Sequence, residues 1–322
     1  MRILVTGATG FVAQTLIPLL LDRGHSVRAV VRTPGAVVPG AVVPGVEDVV
    51  AVGEIGPATA WGGALEGMDA VVHLAARVHV MRDRATDPLA AFRKVNTAGT
   101  RVLAEAAAVA GVKRLVYLSS VKALADESRP EPLSEETTPD PHSPYGISKL
   151  EAERALAEIS TRTGLEVVVI RPPLVYGPGV GGNFRRLLQA VNLGIPLPLG
   201  GLENRRSLIF VGNLADAILE CLTNTQAAGG RFLVHDGRPM STPELVRAIA
   251  DALGKPARLL PVPPSWLERG ARLARKDAVL DRIAGTLVVD DGAIRRALNW
   301  RPPYYPAYGL RLTAEWFKAL RG

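Results

Sequence analysis

Arg2-Ile-Leu-Val-Thr-Gly-Ala-Thr-Gly-Phe-Val-Ala13 decides the fold. A β-rich apolar run ends in a turn with glycines at 7 and 10, and a helical pattern begins with Ala13 in the third small position. Gly7 and Gly10 allow a tight turn and the close approach of a diphosphate, whose charge is stabilised by amides at the helix N-terminus. Ala13 lets that helix lie on its strand. Alone the pattern is weak, because any tight strand-to-helix turn needs glycine. Its weight comes from the rest of the first half of the chain, where short β-rich runs at 27–32, 70–74 and 114–119 alternate with helical stretches at 14–23 and 97–110. That alternation is the mark of parallel βαβ units.

The expected fold is therefore α/β, a Rossmann doubly wound parallel sheet with a smaller, interwoven C-terminal substrate-binding lobe. A further strand at 166–171 is stopped by Pro172 and Pro173, which divides the chain into an NAD(P)-binding domain at 1–171 and a substrate lobe at 172–322. Beyond the break, Gly177-Pro-Gly179, Gly181-Gly182 and residues 196–201 read as loops that shape a pocket. Residues 207–211 and 231–234 read as strands again, so the chain is expected to return to the sheet between 207 and 234. Pro-Gly-Ala-Val-Val occurs twice in tandem at 34–43 and reads as a surface loop. The basic stretch at 266–276 reads as a solvated helix face rather than a contact with an acidic membrane or a partner protein; Gly270 weakens it as an anchor.

With 322 residues, 48% of them hydrophobic, the chain can bury a large core. No apolar run approaches the roughly 20 residues of a bilayer crossing, and Met1 leads into a strand without a charged leader. A cytoplasmic protein without a transmembrane segment is expected, and the single Cys221 excludes a disulfide within the chain. The net charge of +7 comes from 38 basic residues scattered among 31 acidic ones, which points to anionic small molecules and away from nucleic acid. His142 and His235 are isolated, and no cluster has metal-ligand spacing.

The second strand ends in Arg32, with no Asp or Glu there to hydrogen-bond the ribose of NAD(H). A cation suits the 2′-phosphate, so NADP(H) is favoured. Residues 49–54 read as a strand with Glu54 at its tip, placed to meet the adenine amino group. Tyr145-Gly-Ile-Ser-Lys149 opens a helix, and its spacing puts phenol and ammonium on one face, where the cation is expected to lower the phenol pKa. Leu118-Ser-Ser-Val121 ends a strand at the carboxyl edge, where Ser120, or Ser119 beside it, can bond a reacting oxygen.

Thr6-Gly-Ala-Thr-Gly-Phe11, His73-Leu-Ala-Ala76, Asn96, Ser120 and Tyr145-x-x-x-Lys149 resemble the extended short-chain dehydrogenase/reductase family, within its NAD-dependent epimerase/dehydratase members, along nearly the whole chain. The resemblance implies that Tyr145 exchanges a proton with the substrate, Lys149 tunes it and holds the nicotinamide ribose, and Ser120 anchors the oxygen. It implies dinucleotide contacts at Gly7, Thr9, Gly10, Phe11, Val12, Arg32, Glu54, Ile55, Leu74, Ala75, Ala76, Asn96, Ser119 and Pro172. The chain departs from the family at Ala13, where a glycine is usual, and after Ser120, where an aromatic Tyr-Gly is missing and Lys122 becomes a possible substrate contact. Arg171-Pro-Pro-Leu-Val-Tyr-Gly-Pro-Gly179, Gly182-Asn-Phe184 and Asn204-Arg-Arg-Ser-Leu-Ile-Phe-Val211 resemble the nucleotide-sugar branch, which implies Asn183 and Arg206 as contacts to a UDP-sugar. A fork-shaped guanidinium on a diphosphate is chemically apt.

Two activities share such a site. A UDP-4-keto-6-deoxy-HexNAc 4-reductase consumes its cofactor, whereas a UDP-glucose or UDP-GlcNAc 4-epimerase keeps it; Arg32 favours the reductase. Steroid and dihydroflavonol reductases share the motifs but need an apolar pocket, and a non-catalytic NADP sensor could dispense with Tyr145 or Lys149. The resemblance also implies a homodimer through the helices at 96–110 and 145–163.

Overall fold

The computed structural model describes residues 1–33, 46, 48–78, 86–127, 131–273 and 283–320. The tandem repeat and the end of the basic stretch lie outside these residues. Seven parallel strands form one sheet: β1 (Arg2–Thr6), β2 (Ser26–Val31), β3 (Asp48–Ala51), β4 (Ala70–His73), β5 (Arg114–Leu118), β6 (Glu166–Arg171) and β9 (Arg231–Leu233). Their order across the sheet is β3-β2-β1-β4-β5-β6-β9. Their β-branched runs are buried on both faces, as helices on each side of a parallel sheet require. One face is covered by α1 (Ala13–Asp22) and α7 (Val211–Thr223). The other is covered by α2 (Gly62–Leu65), α4 (Thr100–Val109) and α5 (Pro144–Thr163). The doubly wound expectation holds, and strand order reverses between β1 and β4, opening a crevice at their carboxyl ends.

Three local readings change. The strand predicted to end at Glu54 stops at Ala51, and Glu54 sits exposed in the following loop, where its carbonyl accepts from Thr59 Oγ1. The helix expected from residue 97 begins after α3 (Pro88–Phe92) as a π-helical segment, Arg93–Gly99, that runs into α4. Residues 208–210 do not rejoin the large sheet. β8 (Leu208–Phe210) pairs in parallel with β7 (Leu174–Tyr176) in a separate ribbon, and the return is made by α7 and β9. Pro172 and Pro173 end β6, and β7 leaves the large sheet to pair with β8, some thirty residues further along the chain.

The lobe has its own core, in which α6 (Gly182–Asn192), α8 (Thr242–Leu253) and α11 (Pro306–Ala319) pack around Phe184, Phe210, Val246 and Phe317. Before α11 come α9 (Pro264–Leu273) and α10 (Gly292–Leu298). Two buried side chains tie the lobe to the sheet. Arg114 on β5 donates to the carbonyls of Cys221, Leu222 and Asn224 at the end of α7, and Trp300 Nε1 donates to Asp216 Oδ2 at 2.8 Å. Cys221 is a free thiol, raised in pKa by burial in α7. Among the described residues no helix is long and apolar enough to cross a membrane.

Candidate active site

The glycine turn lies at the mouth of the crevice. Gly7 has φ +68°, and a Cβ there would come within 2.9 Å of the Ala75 amide nitrogen, so only glycine lets the loop after β1 pass beneath residues 74–75. Thr6 Oγ1 braces that crossing, accepting from the Ala75 amide and sharing a 2.6 Å hydrogen bond with His73 Nδ1. Thr9 and Gly10 are exposed, and Phe11 and Val12 lead into α1, whose N-terminus, the positive end of the helix dipole, faces the turn; the Gln14 and Leu16 amides donate to the Gly10 and Val12 carbonyls. This cradle fits an anionic diphosphate. Leu74, Ala75 and Ala76 line the opposite strand end, half-buried.

The reacting groups come from β5 and α5. Ser143 caps α5 by accepting from the Gly146 amide, and Pro144 opens the helix, so Tyr145 and Lys149 stand one turn apart on the face toward β5. Ser120 and Tyr145 are joined through a side-chain hydrogen bond. Lys149 is 1% exposed; its Nζ donates to the Leu118 carbonyl at 2.8 Å, lies 4.5 Å from the Tyr117 ring centroid and 6.0 Å from that of Tyr145.

The electrostatics correct the expected tuning. The Tyr145 phenol is pushed up to about 12 because burial outweighs the Ser120 hydrogen bond that acts in the opposite direction. Burial also drives the Lys149 ammonium down to about 7, against the field of Glu153. Lys149 therefore spends its Nζ on a backbone carbonyl and an aromatic face instead of on the phenol.

Several predicted contacts have other partners. Ser119 is buried, and its hydroxyl donates to Glu153 Oε1. Asn96 is a brace: its Oδ1 accepts from the Arg77 amide, and its Nδ2 donates to the Arg77 carbonyl and to Ser148 Oγ. The Pro172 carbonyl accepts from the Val121 amide, which fixes the turn after Ser120. Ile55 packs against the π-helical segment at Gly99. Lys122 is paired with Asp126 at 2.8 Å, Asn183 is exposed near the start of α6, and Arg32 is exposed beyond β2. The Arg206 guanidinium donates to the Gly285 carbonyl at 2.8 Å, and burial lowers its pKa against the field of Glu127. Beside Gly285 a cavity of about 190 Å³ opens between Glu127, in the loop after Ser120, and Leu202, Leu267 and Glu268 of the lobe.

Sequence reasoning missed Glu153 and Tyr117. The spacing that joins Tyr145 to Lys149 continues to Glu153, so that residue was within reach of the same pattern. Tyr117, an apparent core residue of β5, carries no such signal. Among the described residues no cluster of His, Cys, Asp and Glu could hold a metal ion.

The NAD dependent epimerase/dehydratase family model matches residues 3–234, which span the sheet and the Ser120, Tyr145 and Lys149 constellation. The chain belongs to that family. As an epimerase/dehydratase family member it is an NAD-dependent enzyme of the extended short-chain dehydrogenase/reductase type. It is 41% identical to a UDP-glucose 4-epimerase of Vibrio cholerae, over 98% of this chain and 95% of that one. It is 30% identical to a 3 beta-hydroxysteroid dehydrogenase/Delta 5-->4-isomerase of Mycobacterium tuberculosis, over 79% of this chain and 70% of that one. Among solved structures, the dTDP-glucose 4,6-dehydratase of Streptomyces venezuelae with NAD bound superposes with a TM-score of 0.78 at 25% identity, covering 100% of this chain and 98% of that one.

Proposed function

We propose that this chain transfers hydride at C4 of a UDP-sugar, in the form of a reductase that converts a UDP-4-keto-6-deoxy-HexNAc to its 4-hydroxy product. The observation that carries hydride transfer is the convergence of Ser120, Tyr145 and Lys149 at the carboxyl end of β5, beside the glycine turn of β1. The turn at Gly7, Thr9 and Gly10 with the positive N-terminus of α1 would hold the dinucleotide diphosphate, and Lys149 its nicotinamide ribose. When bound, the dinucleotide supplies the hydride that reaches C4 of the sugar. Ser120 orients O4 by a hydrogen bond, and Tyr145, held as a phenol, gives its proton to that oxygen as the C4 carbonyl is reduced. Lys149, where it is charged, stabilises the phenolate left behind.

The reductase form rests on Arg32, an exposed cation beyond β2 whose charge suits the 2′-phosphate of NADP(H). A second reading, a UDP-glucose 4-epimerase, is favoured by the Vibrio cholerae relative. The steroid dehydrogenase relative raises a ketosteroid substrate, but the Glu127 and Glu268 carboxylates that line the cavity beside Gly285 suit a polar ligand better. The test is mass spectrometry of the purified protein for bound dinucleotide, followed by incubation with UDP-GlcNAc, UDP-glucose and a UDP-4-keto-6-deoxy-HexNAc plus NADPH. NADPH consumption with the keto sugar alone supports the reductase. Retained NAD with conversion of UDP-glucose or UDP-GlcNAc to its C4 epimer replaces it with the epimerase.

A further inference from the structure

We propose that Glu153 is a positioning residue of this site: one buried carboxylate that ties the ends of β5 and β6 together and serves as the counter-charge of Lys149. The proposal rests on the reading of Tyr145 and Lys149 given above.

Tyr145, Lys149 and Glu153 occupy successive i+4 positions of α5, so one face of the helix presents them in file. Glu153 is 4% exposed. Its Oε1 accepts from Ser119 Oγ at 2.5 Å and from Arg171 Nε at 3.1 Å, and its Oε2 accepts from Arg171 Nη2 at 2.5 Å. Ser119 is the neighbour of Ser120 just beyond β5. Arg171 is the last residue of β6, 3% exposed, and next to it the Pro172 carbonyl fixes Val121. Glu153 thus holds both strand ends from which the Ser120 turn is built.

Packing alone does not call for an ion pair here, because apolar residues of the same volume can replace a buried pair without loss of stability. An apolar pair could not act on Lys149. The groups around Lys149 are Tyr145 and Glu153 from α5, Tyr117 and the Leu118 carbonyl from β5 and neutral His73 from β4, with Arg171 of β6 paired to Glu153 behind them. Glu153 is the anion of that set, and its field opposes the burial that drives Lys149 toward the neutral amine. An uncharged Lys149 could not stabilise the phenolate of Tyr145.

Two variants test this, Glu153→Gln and the double variant Glu153→Met with Arg171→Met, the second leaving no buried charge unpaired. The side-chain nitrogen of Lys149 is titrated by ¹⁵N NMR in the full chain, assigned with Lys149→Arg, and thermal melting is followed in parallel. In the unaltered chain Lys149 is expected to titrate near pH 7, well below the exposed lysines. In Glu153→Gln its midpoint falls by about one pH unit or more, the basic limb of the kcat profile falls with it, and Glu153→Asp keeps much of the unaltered midpoint; in the double variant, which loses the Arg171 cation as well, the midpoint falls less. A folded Glu153→Gln chain with its Lys149 midpoint unmoved, or a double variant whose midpoint rises, overturns the proposal, as does a Lys149 that titrates with the exposed lysines. Should the midpoint move while no UDP-sugar is turned over, the inference about Glu153 stands and the substrate reading fails, because the NMR titration needs no substrate.

Discussion

In the proposed reaction Tyr145 acts as an acid, since burial keeps its phenol protonated up to about pH 12. Tyr145→Phe removes only the proton-carrying oxygen. Turnover is expected to fall at least roughly a hundredfold while dinucleotide binding, read by fluorescence titration, stays within about twofold; turnover within tenfold of the unaltered chain sinks the assignment. His73 supplies a second test at this scale. It is buried, stacked on Tyr117 at 5.6 Å and bonded to Thr6 and Thr100, and burial first, then the Lys149 charge, pushes its pKa down to about 3. The unfolded imidazole takes its proton near 6.5, so between these values the unfolded chain binds more protons and stability is lost as pH falls. At pH 4.5 the loss is on the order of 3 kcal/mol relative to pH 7.5. His73→Gln is expected to flatten that dependence in urea melts at the two pH values, and an unchanged slope would count against His73 as its source.

At the scale of elements, the first turn of α5 is pressed against the short 3₁₀ helix Val121–Ala123. Gly146 makes this possible, because a Cβ there would run into the Lys122 carbonyl oxygen, backbone that cannot rotate away. Gly146→Ala is expected to push α5 off that turn, separate Tyr145 from Ser120 and cost about 2 kcal/mol. The check is kcat together with the urea midpoint, and both should fall; an unchanged kcat would mean that the contact is not needed to seat Tyr145. The π-helical segment belongs to the same scale. It carries the buried Asn96 to Arg77 and Ser148, so the loop after β4 is braced against α5 just beside the reacting groups.

Across the whole molecule, Asp236 joins the β7–β8 ribbon to α7. It accepts from Tyr176 Oη at 2.7 Å, the Phe210 amide at 2.8 Å and Asn213 Nδ2 at 2.8 Å, while Asn213 also donates to the Tyr304 carbonyl. Asp236→Ala strands the Phe210 amide and one N–H of Asn213, leaves Tyr176 Oη only the longer contact to the Pro306 carbonyl, and is expected to cost about 3 kcal/mol. Phe11 and Val12 of the glycine turn pack against the cluster that holds Tyr176 and Phe210, so dinucleotide binding is expected to weaken together with substrate turnover. Measuring both on the folded variant decides the point, and unchanged dinucleotide binding where turnover is lost would deny that coupling of lobe and glycine turn.

Much of this was legible in the chain itself. The glycine turn, the alternation of β-rich and helical runs, the Pro172–Pro173 break and the Tyr145–Lys149 spacing depend on backbone sterics and periodicity, which neighbouring residues fix. They determined a doubly wound sheet and brought out the Tyr145–Lys149 pair as the candidate for proton transfer. The sequence misjudged whatever depends on residues far apart meeting. The pairing of β8 with β7 depends on a strand some thirty residues away. The commitments of Ser119 to Glu153 and Asn96 to Arg77, and the burial that sets Tyr145 near 12 and Lys149 near 7, are likewise products of packing. Local pattern says which groups share a face, but desolvation is a property of everything that closes over them.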